Sequence, residues 1–365
     1  MIQIAFTGGG SGGHIYPGLA VAGCLQRQGP CRIFWIGSSG GIDRSIVEQG
    51  GIEFFGIPSG KFRRYFSFRN FLDVFKVLAG FFAARKILKR EKPDLLFSKG
   101  GFVSVPPCLA AASLGIPLCT HESDLSPGLA TRINTRFAQR IFTAYENTAA
   151  FLSRKYKDRI RLTGNPIRPE FSKADAARGR AFLGINEGER ILLVLGGSQG
   201  AREINDLVRS CLAELTGPYV VVHQTGQRTS WDLAPSERYR PYPYFTEEMP
   251  QILAASELVL GRSGAGTIWE CAALGRPMVL IPLSGSGTRG DQVENARFFE
   301  KAGAAAVLSG GEVSPKALVE TVLSIAGDEE KRAAMVRASA KIGAQDGAAS
   351  IVREMISLLE EKTNG

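Results

Sequence analysis

The chain is poor in the residues that announce metal, redox and membrane chemistry. Its six cysteines, Cys24, Cys31, Cys108, Cys119, Cys211 and Cys271, form no C-x-x-C pair or other metal spacing. That argues against a zinc ribbon or a thioredoxin-like motif and reads as buried thiols in a reducing cytoplasm. No Asp-x-Asp metal motif occurs, and only three histidines, His14, His121 and His223, are present. No uninterrupted apolar stretch approaches the roughly 20 residues of a membrane-spanning helix. The opening run Ile2–Phe6 passes straight into a glycine loop, so no signal peptide is expected.

What remains is an ordinary globular composition, 44% hydrophobic and 22% charged over 365 residues, enough for two domains. The net charge of +9 is unevenly spread. Residues 1–163 carry 22 Lys/Arg against 10 Asp/Glu, and residues 164–365 carry 22 against 25. A basic first half implies an anionic partner. DNA, RNA, an anionic lipid surface and a phosphorylated substrate all fit that charge alone.

Apolar runs expected as strands alternate with helix-like segments: Gln3–Phe6, Arg32–Ile36, Glu53–Ile57, Asp94–Ser98, Pro117–Thr120, Arg140–Thr143 and Arg159–Leu162. This pattern predicts a parallel sheet covered on both faces. Gly164-Asn165-Pro166-Ile167-Arg168-Pro169 then interrupts it, and its two prolines suit a linker. The alternation restarts at Ile191–Leu195, Tyr219–His223, Leu258–Leu260, Met278–Ile281 and Ala305–Leu308. The expectation is an α/β chain of two doubly wound, Rossmann-like domains: residues 1–163, a linker 164–170, and residues 171–342. A last segment, 343–365, forms a helix over Ala348–Glu361 that returns to the first domain. Glycine loops at Thr7–Gly13, Ser98–Gly101, Gly196–Gly200 and Gly261–Gly266 fall at carboxyl ends of strands, where such sheets collect ligands. Two such domains would face each other across a cleft.

The most informative stretch is Ser263-Gly264-Ala265-Gly266-Thr267-Ile268-Trp269-Glu270. It joins the strand at Leu258–Leu260 to a short helix ending near Gly275. Small residues at a strand-to-helix turn leave backbone N–H groups bare, an anion site suited to a diphosphate. Glu270 falls about a turn into the helix, where a carboxylate can accept from a ribose diol. The turn lacks a P-loop lysine and the Gly-x-Gly-x-x-Gly spacing, which disfavours ATP hydrolysis and NAD binding.

Other constellations are less specific. Gly8-Gly9-Gly10-Ser11-Gly12-Gly13-His14 fits a tight turn or a phosphate loop equally, but His14 at its end is a candidate base. Gly196-Gly197-Ser198-Gln199-Gly200-Ala201 offers backbone and side-chain donors, or simply a close helix–strand turn. Asp291 is either an N-cap, with Asn295 a surface residue, or, with Gln292, one of a pair holding sugar hydroxyls. Residues 61–92 hold ten Lys/Arg, two acids and eight aromatics. An amphipathic helix accounts for about half of the apolar residues. Lys61, Arg63 and Arg64 interleaved with Phe62, Tyr65, Phe66 and Phe68 resemble an interfacial surface, although single-stranded nucleic acid also suits such a mixture.

Together the segments GGGSGGHIYPGLA (8–20), SKGGFVSVPP (98–107), HESDLSPGLATR (121–132), GNPIR (164–168), LGGSQGA (195–201), SGAGTIWECAALGRP (263–277) and RGDQVENA (289–296) resemble the MurG family of peptidoglycan N-acetylglucosaminyltransferases, over essentially the whole chain. The resemblance implies a GT-B glycosyltransferase of family 28 that moves GlcNAc from UDP-GlcNAc to the C4 hydroxyl of MurNAc in lipid I, with inversion, making lipid II. It places the donor on Ser11, Gly12, Gly13, Arg168, Ser198, Gln199, Thr246, Arg262, Ala265, Gly266, Thr267, Glu270, Asp291 and Gln292. Within that set Glu270 takes the ribose, Thr246 lies near uracil, and Asp291 and Gln292 address the GlcNAc. It gives the acceptor diphosphate to the first-domain glycine loops, with Gly10, Gly100, Gly101 and Phe102. Where family members carry His-Glu-Gln-Asn, this chain has His121-Glu122-Ser123-Asp124, and Phe102 replaces a tyrosine. The first change makes Asp124 a second candidate base beside His14.

The expected mechanism is one in-line displacement needing no cofactor and no essential metal, because helix-terminal N–H groups and Arg168 meet the leaving diphosphate. The expected partners are UDP-GlcNAc, lipid I and, through the basic aromatic segment 61–88, the cytoplasmic face of the bacterial cell membrane, with no nucleic acid. The enzyme would be peripheral there. Three rivals share parts of this pattern: a GT-B enzyme acting on another lipid such as diacylglycerol, a UDP-GlcNAc epimerase, and a non-enzymatic membrane or nucleic-acid module. An epimerase needs no basic aromatic surface, and a binding module leaves the Glu270 turn without a purpose.

Overall fold

The structure, a computed structural model, describes residues 1–60, 68–197, 200–227, 231–285 and 288–363; of residues 68–72 and 363 it describes the backbone. Ser198 and Gln199, and the interleaved segment from Lys61 to Phe66, lie outside the described residues. Two compact units divide the chain: Met1–Arg168 together with Gln345–Gly365, and Pro169–Ala344.

The first unit holds β1 (Ile2–Thr7), β2 (Cys31–Ser38), β3 (Glu53–Ile57), β4 (Leu95–Ser98), β5 (Leu118–Glu122), β6 (Arg140–Thr143) and β7 (Ile160–Leu162). They form one parallel sheet in the order β3-β2-β1-β4-β5-β6-β7. Successive residues of a strand point to opposite faces, and here both faces are buried. Ile4 and Phe6 join Trp35, Phe97, Phe142 and the helix Gly12–Gln28 on one side. Ala5 joins Phe34, Ile36, Leu96 and the helices Phe68–Glu91 and Val105–Ser113 on the other. That double burial is why these strands read as continuous apolar runs.

The second unit holds β8 (Ile191–Leu195), β9 (Val220–Gln224), β10 (Tyr239–Tyr242), β11 (Leu258–Gly261), β12 (Met278–Leu280) and β13 (Ala305–Val307). Their order, also parallel throughout, is β10-β9-β8-β11-β12-β13. All twelve strands expected from the sequence are present, within a residue or two at their ends. β10 was not expected. Pro241 removes a ladder donor from it, and an edge strand tolerates that loss. Five of the cysteines are buried as expected, whereas Cys31 is only half-buried.

The order of strands reverses between β1 and β4 in the first sheet and between β8 and β11 in the second. Chain leaving one such strand turns to the face opposite that covered by the next, so a crevice opens at the carboxyl ends. All four glycine loops lie at these two reversals.

The helix Gly347–Thr363 belongs to the first unit although it follows the second in sequence. Ala348, Ile351, Val352, Met355 and Leu358 recur every three or four residues and enter the core beside the helix Gly12–Gln28. Arg140 pairs with Glu361 at 2.7 Å, and Arg161 with Glu354 at 3.3 Å, along its edge. Half-exposed pairs of this kind add little, so the apolar face holds the helix. Met355→Ala should therefore destabilise the first unit by about 3 kcal/mol, whereas Glu361→Gln should leave it almost unchanged. Urea denaturation of both variants checks this, and equal effects would contradict it.

Candidate active site

In the first unit a buried carboxylate shapes the first glycine loop. Asp43, 1% exposed, accepts from the backbone N–H of Gly10 at 2.9 Å and of Ser38 at 3.0 Å. Trp35 Nε1 donates to the Gly8 carbonyl at 2.9 Å. A Cβ on Gly9 would run into the Asp43 carboxylate, and one on Gly10, at φ +82°, into the Phe102 ring. The run of glycines is thus required by crowding and backbone angle at these positions. Ser11 is the N-cap of the helix Gly12–Gln28 and makes no side-chain cap bond, so the leading N–H groups of Gly12 and Gly13 have no side-chain cap from it. Their first turn presents His14.

His14 packs against the second glycine loop. A Cβ on Gly101 would stand 2.9 Å from its Cδ2. Its Nδ1 lies 3.3 Å from the Lys99 carbonyl oxygen. A carbonyl only accepts, so Nδ1 carries the hydrogen and the lone pair of the neutral ring resides on Nε2, the nitrogen suited to act as base. Arg168 stacks over Tyr16 at 5.3 Å, which holds the guanidinium against the same helix.

Below these loops lies a cluster of charge. Lys99 is 1% exposed, and burial pulls its ammonium down to about 8 against the opposing pull of Glu122 and Asp124. It donates to Ser123 Oγ. Glu122 accepts from the Asp124 and Gly128 backbone N–H groups, each at 3.1 Å. His121 is fully buried, donates from Nε2 to the Gly164 carbonyl at 3.0 Å, and is held well below its usual range by burial and then by Lys99. It is a neutral structural ring. Asn134 ties Ser98 to Ser104, at 3.1 and 2.9 Å, and so closes the second loop onto the helix behind it.

In the second unit the helix Ala265–Ala273 starts from Gly264 with no side-chain cap bond. Gly264 has φ −67°, and a Cβ there or on Gly266 would meet nothing within 4 Å among the described residues. Neither strain nor crowding calls for glycine, so what its absence of side chain provides is open approach to the leading N–H groups. Gly266 and Thr267 stand four and three residues before Glu270, on one helix face with it. The helix Asp291–Lys301 is tied to this turn: Ser263 Oγ donates to the Gln292 carbonyl at 2.6 Å, and Asn295 Nδ2 donates to the Ser263 carbonyl at 3.3 Å. Asp291 is the first helical residue rather than the N-cap, which is Gly290, and it pairs with Arg289 at 3.0 Å. Gln292 Oε1 accepts from Leu283 N at 3.0 Å.

Like Asp291 and Gln292, the expected residues Arg262 and Thr246 have protein partners. Arg262 donates to the Ile281 carbonyl at 3.0 Å and pairs with Glu203 at 2.7 Å, which leaves its side chain 14% exposed. Thr246 is exposed, with its hydroxyl 3.3 Å from Glu248. Its loop connects to the Gly196–Gly200 turn through Gln224, which accepts from Phe245 N at 2.9 Å and donates to the Gly197 carbonyl at 3.5 Å. Among the described residues no group of three or more His, Cys, Asp or Glu side chains is placed to hold a metal ion. Sequence reading gave no role to Asp43, Lys99 or the Ser263 side chain, and the reading of Asn295 as a surface residue is corrected here, because its amide is buried where it donates to the Ser263 carbonyl. Only Lys99 carried a signal, a charge wedged between a buried strand and two glycines.

The model of the glycosyltransferase family 28 N-terminal domain matches residues 4–143, and that of the family's C-terminal domain matches residues 191–351. The chain belongs to glycosyltransferase family 28. Among family 28 relatives it is 46% identical to the "UDP-N-acetylglucosamine--N-acetylmuramyl-(pentapeptide) pyrophosphoryl-undecaprenol N-acetylglucosamine transferase" of Treponema denticola, covering 98% of each chain. It is 41% identical to the protein of the same name from Staphylococcus carnosus, covering 89% of each. The crystal structure of MurG from Acinetobacter baumannii matches 99% of this chain and all of its own, with a TM-score of 0.73 at 24% identity. The two doubly wound units of this family 28 chain are those of a GT-B glycosyltransferase.

One buried ring in the second unit gives a pH-dependent stability. His223 Nε2 meets Asn205 Oδ1 and Nδ1 meets the Tyr239 hydroxyl, both at 3.1 Å. Burial pulls its pKa down to about 4. The unfolded ring, near its ordinary 6.5, binds a proton that the folded ring refuses, so stability is full above about pH 6.5 and falls as pH drops toward 4. From pH 7 to pH 5 His223 should remove about 2 kcal/mol, with His121 acting in the same direction. Urea melts of His223→Gln should show a shallower loss than wild type over that interval, and parallel losses would refute the assignment.

Proposed function

We propose that the chain transfers GlcNAc from UDP-GlcNAc to the C4 hydroxyl of MurNAc in lipid I, inverting the anomeric carbon and forming lipid II. The observation that carries this reading is the near full-length identity to enzymes whose names state that donor and that acceptor. One displacement accounts for inversion. The acceptor oxygen bonds to the anomeric carbon as the bond to the diphosphate breaks, and UDP leaves with the electron pair.

The donor belongs to the second unit in this reading. Its diphosphate lies at the uncapped helix start Gly264–Thr267, where each preorganised donor is worth roughly 3 kcal/mol as charge develops. Glu270 accepts from the ribose hydroxyls, Thr246 stands by the uracil, and Asp291 and Gln292 hold the GlcNAc. Ser198, Gln199 and Arg262 complete that side, with Arg168, Ser11, Gly12 and Gly13 contributed by the first unit. The acceptor diphosphate belongs to the first-unit loops with Gly10, Gly100, Gly101 and Phe102. His14 Nε2 or the Asp124 carboxylate removes the hydroxyl proton.

UDP release from UDP-GlcNAc should require a lipid I analogue; release without transfer, or transfer to diacylglycerol instead, would redirect the assignment. Glu270→Ala should weaken UDP binding by on the order of 2 kcal/mol, about 30-fold, with the fold intact. Calorimetry giving near wild-type affinity would remove Glu270 from the ribose site.

The acceptor's anchor requires access to a membrane, and among the described residues no helix is long and apolar enough to cross one. We place a peripheral contact with the cytoplasmic leaflet on the segment 61–88. Its helix Phe68–Glu91 leaves Phe75, Leu78 and Phe82 exposed by 55%, 51% and 66%. Their spacing sets them on one face, and Lys86 and Lys89 continue that face toward the carboxyl end. Exposed apolar residues beside cations suit an anionic bilayer. Binding to anionic vesicles should weaken but persist as salt rises, since only the charge attraction is screened. Phe75→Ser with Phe82→Ser should weaken it further, by about tenfold, while sparing activity on a soluble short-chain acceptor. Equal vesicle binding by variant and wild type would reject this face.

A further inference from the structure

The two candidate bases, His14 and Asp124, stand on different loops of the first unit, and one residue with no role so far connects them. Lys99 closes β4. Its carbonyl oxygen takes the His14 Nδ1 hydrogen. Its ammonium donates to Ser123 Oγ, next to Asp124 in the chain, and Ser123 Oγ in turn donates to Asn165 Oδ1 at 2.7 Å. The carboxylates facing that ammonium are Glu122 and Asp124, and Glu122 already accepts two backbone N–H groups. The neutral His121 ring is the remaining titratable neighbour. A cation taken wholly out of water destabilises a fold unless it is well paired, and an apolar side chain of similar length would fill the space without that penalty. Here the pairing runs to the turn that carries Asp124.

We propose that Lys99 is a positioning residue for the proton-transfer step, its carbonyl fixing His14 with Nε2 as the basic nitrogen and its ammonium holding the Ser123–Asp124 turn with the Asp124 carboxylate charged. This rests on the transferase reading above. Lys99 itself exchanges no proton. The acceptor hydroxyl proton passes to the base as the new glycosidic bond forms and UDP departs with the electron pair.

The test is Lys99→Met in the full chain, assayed with UDP-GlcNAc and a short-chain lipid I analogue. Turnover should fall about 10- to 100-fold, the scale of a misplaced catalytic group, with the donor KM almost unchanged. Loss of a cation beside a carboxylate disfavours its charged form, so the acid limb of the kcat/KM profile should move to higher pH. Lys99→Met combined with Asp124→Asn should lose little more than Asp124→Asn alone, because the two act through one group. Ser123→Ala, which keeps the ammonium and removes its hydroxyl partner, should lower kcat in the same sense by a smaller factor, and it decides the matter if Lys99→Met does not fold. Wild-type kcat in the Lys99 variant overturns the proposal. So does a fall in kcat with an unmoved acid limb and losses that add to those of Asp124→Asn, since that pattern belongs to packing alone. Absence of turnover by the wild-type chain overturns the transferase reading, and this inference with it; turnover by wild type with an unaffected Lys99 variant overturns this inference only.

Discussion

A parallel sheet covered on both faces leaves its backbone open only at the strand ends, and that constraint organises the whole molecule. In each unit the helices take opposite faces where the strand order reverses, so bare N–H groups collect at a single crevice per sheet. The glycine loops after β1 and β4 occupy one reversal, and those after β8 and β11 occupy the other. Most of what is assigned to substrate is a neighbour of these four turns or is tied to one by a hydrogen bond, and Arg168 reaches the helix behind the first by stacking on Tyr16. Ser263 ties the Asp291 helix to the turn after β11, and Gln224 ties the Thr246 loop to the turn after β8.

What shapes the turn differs between the loop after β1 and the helix start after β11. In the first, Gly9 and Gly10 are forced: the Asp43 carboxylate and the Phe102 ring leave no room for a Cβ, and Gly10 also has φ +82°. In the second, Gly264 and Gly266 have room, and the missing side chains only expose the helix start. The first arrangement is a rigid cradle built from behind; the second is a bare landing site. A diphosphate suits either; the first also stands beside the buried Lys99 ammonium and the Glu122 and Asp124 carboxylates that face it.

The strands were legible because double burial writes itself into the sequence as unbroken runs such as Ile191–Leu195. β10 was hidden because Tyr239-Arg240-Pro241-Tyr242 carries a proline that edge position alone excuses. Glu270 and the small residues before it could be read locally, since turn, helix start and carboxylate are consecutive. Asp43 could not, because its partner Gly10, thirty-three residues earlier, is brought to it only by the pairing of β1 with β2. Lys99 was visible as an odd charge, but its link to Ser123 and Asn165 requires β4, β5 and the segment after β7 to be side by side. Asn295, one turn into its helix, gave no hint that it would grip Ser263 some thirty residues earlier.

The return of the helix Gly347–Thr363 to the first unit has a consequence for how the protein is made. Ala348, Ile351, Val352, Met355 and Leu358 complete a hydrophobic core whose other buried members were translated before the whole of the second unit. At roughly 5–20 residues per second, the ribosome spends about ten seconds or more on that second unit. During this interval the earlier domain has its sheet but an uncovered apolar strip along the helix Gly12–Gln28. The later-made domain is therefore the first able to finish folding, and the first-made one waits for the helix Gly347–Thr363 to emerge, an interval in which a chaperone has an apolar strip to grip.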